Sequence, residues 1–91
     1  MKRLEGEKLK KMRQKLDAGI EDDTLTLGEA TRMMRRIVGM NRREYAARVA
    51  KVGHDALQAV ETGKGNPTLK TLRAIGAPFG LDVGFVKKRK S

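Results

Sequence analysis

Apolar positions recur along this chain at helical spacing, cut by short polar and glycine-bearing breaks. Leu4, Leu9, Met12, Leu16 and Ile20 repeat at mostly helical intervals within a run of Lys and Arg. That pattern predicts a basic amphipathic helix with a narrow apolar stripe, which packs on its own domain or on a partner subunit rather than on a membrane surface. "DAGIEDDTLT" reads as a break, with Asp17-Ala18-Gly19 as the helix end and Gly19 as its left-handed cap. "TLGE" at 26–29 fits a capping box: Thr26 accepts from the Glu29 amide and the Glu29 side chain reaches back. The helix it opens carries Ala30, Met33, Met34, Ile37 and Val38 on one face and stops at Gly39.

"NRRE" at 41–44 repeats the device, with Asn41 as cap, and predicts a helix through about Ala50. From His54, a turn of about 100° per residue gathers Ala56, Leu57 and Val60 on one face and His54, Asp55, Gln58 and Thr62 on the other. Gly63 ends that helix, and Thr68 or Asn66 caps a further one that buries Leu69, Leu72 and Ile75. Pro78 and Gly80 mark a turn or a very short helix. Leu81, Val83 and Phe85 then alternate with Asp82 and Gly84, the pattern of a short terminal strand, before the basic tail Lys87 to Lys90.

A chain of 91 residues makes one small domain with appendages. The expected division is an N-terminal amphipathic helix and acidic linker over 1–25, a helical domain over 26–80, and a strand and basic tail over 81–91. Aromatic residues are 3% of the chain and cysteine is absent, so neither disulfides nor a thiolate metal site supplement a thin aliphatic core. Dimerisation is the natural supplement. No apolar run approaches the ~20 residues of a bilayer crossing, and nothing resembles a signal peptide, so a cytoplasmic location is expected.

Charge changes the picture more. Lys and Arg number 21 against 11 Asp and Glu, a net charge of +10 that attracts polyanions, nucleic acid first. Composition alone fits a well-solvated small protein equally. Arg42 and Arg43 fall in the first turn of their helix, where positive charge opposes the helix dipole; an external phosphate would satisfy them and the free amides beside them. Two arginines solvated on a surface turn are the plainer alternative. "GKG" at 63–65 is no phosphate loop, since Gly65 stands where a P-loop needs Ser or Thr and a helix precedes it. The single histidine, His54, has no partner donors at metal-ligand spacing, and no nucleophile sits beside a base, so no metal, cofactor or enzymatic activity is expected.

Over residues 27–81, "LGEATRMMRRIVGMNRREYAARVAKVGHDALQAVETGKGNPTLKTLRAIGAPFGL" resembles the Cro/C1-type (Xre-like) helix-turn-helix repressors. The resemblance rests on the capped "NRREYA", the run "ETGKGNP" and the following "TLKTL", in that order and spacing. It implies a mainly all-α, lambda-repressor-like bundle of four to five short helices, here with an extra N-terminal helix and a short C-terminal dimerising strand through Leu81, Val83 and Phe85. It implies that His54, Asp55, Gln58 and Ala59 face base edges, that Arg42, Arg43, Thr62, Lys64 and Asn66 meet the DNA backbone, and that Arg35 and Glu61 form a structural ion pair. Two features depart from the family pattern. The spacing from the alanine of the second family helix to the glutamate is one residue longer, and "AKVGH" lacks the usual glycine-apolar-Ser/Thr turn.

The function implied is a homodimeric, sequence-specific repressor of double-stranded DNA, reading a palindromic operator, with its own promoter a natural target. One rival is an antitoxin whose N-terminal segment also neutralises a toxin protein. Another is an architectural binder of nucleic acid held by charge alone, which would not discriminate among duplexes.

Overall fold

The computed structural model describes residues 6–87; Leu4 and the tail positions 88–90 lie outside the described residues. The described chain is helical, in the order α1 (Gly6–Asp22), α2 (Leu27–Val38), α3 (Arg42–Glu44, running on without interruption into the π-helical stretch Tyr45–Ala50), α4 (His54–Thr62) and α5 (Leu69–Gly76). A 3₁₀ turn, Ala77–Phe79, closes the series.

The local signals that start α2, α3 and α5 and those that stop α2 and α4 are satisfied. Thr26 and Glu29 form the reciprocal capping box of α2, at 3.0 and 2.8 Å, and Asn41 with Glu44 does the same for α3, at 2.9 and 3.0 Å. Gly39 and Gly63 take the left-handed conformation after α2 and α4. Of the two caps available to α5, Thr68 is the one used.

Leu16, Ala30, Met34, Ile37, Tyr45, Ala46, Ala50, Leu57, Val60 and Ile75 build one core. Tyr45, the sole tyrosine, is fully enclosed; its hydroxyl donates to the Ile75 carbonyl at 2.8 Å and so ties the π-helical stretch to α5. Through Leu16, α1 joins the same core against α2, and Arg13 stacks over the Phe79 ring at 5.3 Å.

Three sequence expectations are corrected. Gly19 does not end α1: it is helical and buried, and a β-carbon there would collide with the Leu25 side chain, so the glycine serves close packing rather than a left-handed cap. The helix runs to Asp22, and Asp23 adopts the positive φ of 55°. No strand occurs among the described residues, because Leu81, Val83 and Phe85 find no second strand to pair with. Leu81 instead donates its amide to the Gly76 carbonyl at 3.1 Å and packs on the core, while Phe85 projects fully into solvent. Finally, Leu69, expected inside, is 57% exposed, since the first turn of α5 points away from the core that Ile75 enters.

Candidate nucleic-acid interface

Three residues, Lys51 to Gly53, join α3 to α4. Lys51 takes the left-handed conformation (φ 55°, ψ 48°), and both its amide and that of Val52 return to the Ala46 carbonyl. A π-helical turn holds one residue more than the α-helical turn it replaces, so the Tyr45–Ala50 stretch takes up an extra residue inside the helix. Val52 is half-buried and Gly53 is the N-cap of α4, with extended backbone and no side chain to cap.

The inner side of α4 buries Leu57, Val60 and Glu61. The Glu61 side chain is completely enclosed, which is unfavourable for a carboxylate unless it is paired. Arg35 supplies a two-pronged partner: Nε to Oε2 at 2.5 Å and Nη2 to Oε1 at 2.8 Å, with Nη1 donating to the Met40 carbonyl at 3.2 Å. Arg42 Nε donates to the same Oε1 at 3.1 Å, and Arg32 Nε stands 3.8 Å from it. Burial pushes the Glu61 carboxyl up, but the hydrogen bonds and charges of Arg35 and Arg42 outweigh this and hold it below the usual carboxylate range. Gly28 lets the start of α2 reach this corner, since a β-carbon there would stand 2.5 Å from the Glu61 carbonyl oxygen.

The expected Arg35 and Glu61 are thus in contact. Arg42, expected at a phosphate, is turned inward through Nε and keeps a side chain 32% exposed. The sequence did hold a signal for this second partner: Arg42 follows the Asn41 cap directly, and a first-turn residue with no acid four positions on is free to reach another helix.

The outer side of α4 is open. Asp55 and Gln58 are exposed, Ala59 and His54 half-exposed, and the only ion pair there among the described residues is a loose one, His54 Nδ1 to Asp55 Oδ1 at 3.5 Å. Asp55, Gln58, Ala59, Thr62 and Lys64 line one shallow open depression of about 250 Å³. Arg35, Asn41, Arg42, Arg43 and His54 line a second, of about 390 Å³. The Thr62 hydroxyl bonds back to the Gln58 carbonyl at 2.9 Å, leaving it an acceptor to offer. Asn66 is exposed in the loop that follows, outside both depressions. Leu81 and Val83 are drawn instead to an apolar hollow on another side, shared with Ile20, Leu27 and Met34.

No helix among the described residues is long and apolar enough to cross a membrane. No family model, curated protein or solved structure matches the chain.

Proposed function

We propose that this protein is a sequence-specific, DNA-binding transcriptional repressor that acts as a homodimer on a palindromic operator. The observation that carries the reading is the outer face of α4: exposed or half-exposed side chains able to read base edges, held to the rest of the chain by no more than the loose His54–Asp55 pair, bordered on both sides by cations. Gln58 can pair bidentately with adenine, His54 can donate to guanine, Asp55 can accept from cytosine, and Ala59 offers an apolar contact for a thymine methyl. Arg43, Lys64 and the outer nitrogens of Arg42 are the phosphate partners that fix the register, joined by Thr62 and Asn66.

The two departures from the family pattern fit the same reading. Lys51, Val52 and Gly53 stand in the left-handed, apolar and cap positions of the usual turn, and the extra residue is absorbed by the π-helical stretch ahead of it. On this account α3, the turn and α4 form a helix-turn-helix unit whose recognition helix keeps its register. The exposed Phe85 and Val86 furnish apolar surface for the two-fold contact that would set two recognition helices about 34 Å apart. A repressor is favoured over an antitoxin because Leu16 and Gly19 of α1, whose apolar stripe a toxin would need, are buried against the chain itself.

Selection of preferred duplexes from a randomised pool, followed by fluorescence anisotropy against scrambled DNA over a salt series, tests the proposal. A palindromic site bound about 10³-fold or more tighter than scrambled DNA is expected. Affinity governed by salt alone, equal for all duplexes, would overturn it.

A further inference from the structure

The charges of α1 are unevenly arranged, and its C-terminal end is acidic where a helix favours cations. Lys8, Lys10, Lys11, Arg13 and Lys15 crowd its first two-thirds, while its last turn holds Glu21 and Asp22 and no basic residue. Glu7 in the first turn suits the helix dipole, but the acidic last turn opposes it, and the run of cations between them is available to something outside the helix. Lys8, Lys11 and Lys15, at intervals of three and four, share one face, and the hollow they line with Met12 is closed by Arg36 of α2. None of these four cations forms an ion pair with a described residue. Arg32 lies one turn before Arg36 on the same exposed side of α2, and it approaches the same Glu61 oxygen that Arg42 holds. A belt of positive side chains therefore runs from α1 across α2 to the start of α3.

From this continuity we infer that the basic face of α1, extended by Arg36 and Arg32, is a second polyanion-binding surface that grips the sugar-phosphate backbone beside the segment α4 reads. The inference rests on the proposed DNA-binding function, because what singles out nucleic acid over an acidic protein is that the belt leads into the cations bordering α4. The acidic residues at and just past the end of α1, Glu21 to Asp23, orient the grip: they repel the backbone and confine contact to the first two-thirds of the helix. The surface carries no base-reading geometry, only lysine and arginine heads on flexible stems, so it adds affinity without sequence preference.

The full chain with Lys8, Lys11 and Lys15 replaced by Gln is compared with the wild type and with a charge-matched control, Arg48→Gln, Lys70→Gln and Lys87→Gln, on the selected duplex. Removing one cation that neutralises a phosphate makes the slope of log affinity against log salt shallower by about 0.9, so the α1 variant should show a slope shallower by about 2–3, the control less than half of that. Its preferred base sequence should stay that of the wild type. In the wild-type complex, Lys8, Lys11 and Lys15 should also be protected from reductive methylation, read by mass spectrometry. Equal slopes for the two variants would reduce the effect to net charge and overturn the inference. Methylation of the three lysines at the same rate with and without DNA would overturn it too, and would leave the face to an acidic protein partner. Failure of the wild type to prefer any duplex, in the same titrations, would instead strike the repressor reading beneath it.

Discussion

Within the nine residues of α4, Leu57, Val60 and Glu61 have all their neighbours supplied by the chain, whereas Asp55, Gln58 and Thr62, about half a turn away, face solvent. The two faces differ in whether their polar atoms are already engaged. Glu61 has committed its acceptors to Arg35 and Arg42, and among the described residues no buried side-chain polar atom is left without a partner. Gln58 keeps a full set of donors and acceptors for something external. Helical periodicity alone separates the two roles, so a substitution on one face should leave the other nearly untouched.

The largest expected effect breaks the inner face. Glu61→Ala strands the Arg35 guanidinium in a buried corner and should cost about 3–5 kcal/mol, read by urea unfolding. Against a total stability of roughly 5–15 kcal/mol, that brings the domain near its limit. Gln58→Ala breaks the outer face: about 1–3 kcal/mol lost on the preferred duplex, with relaxed preference at one base position and a stability to urea within about 0.5 kcal/mol of wild type. An unchanged base preference would shift the proposed reading register of α4 by one position.

Arg42→Ala sharpens the comparison, because this residue belongs to both faces. Its partly exposed bond to Glu61 is worth about 1 kcal/mol of stability, and its removal should also weaken binding to every duplex, with a salt slope shallower by about 0.9. The inner face also carries a pH signature. The Glu61 carboxyl is held below its ordinary value in the folded chain, so its contribution is complete above the unfolded pKa and is lost as pH falls through the folded one. Stability measured by thermal unfolding should therefore decline below about pH 4.5, and Glu61→Gln should flatten that decline.

Much of the fold was legible because its signals are short. A capping box closes within four residues, so Thr26 with Glu29 and Asn41 with Glu44 could be read without knowing the rest of the chain. The Arg35–Glu61 contact spans 26 positions and was accessible only through resemblance to a family. Where the sequence misled, one residue type served two ends. Gly19 offers conformational freedom or absence of a side chain, and only the position of Leu25 decides between them. The alternation at 81–85 described a strand face, but a strand exists only with a partner, and alternation says nothing of whether one is present. Arg42 reads from the sequence as a phosphate partner because the acid that claims its Nε lies 19 positions ahead, on another helix.

Tyr45 gives the molecule a built-in optical gauge. It is the single tyrosine in a chain without tryptophan, so any ultraviolet phenol signal comes from the junction where the π-helical stretch meets α5. Burial pushes its hydroxyl up to about 12, from the 10.0 of an exposed phenol. Between those values a folded population stays as the neutral phenol while an unfolded one becomes phenolate, so absorbance in mild alkali counts open molecules directly. The same linkage sets an alkaline limit: the protonated phenol favours the folded state fully below pH 10.0, and that advantage fades as pH climbs toward 12. One ring can thus report, without any label, whether the scaffold behind the α4 surface is intact while that surface is being mutated.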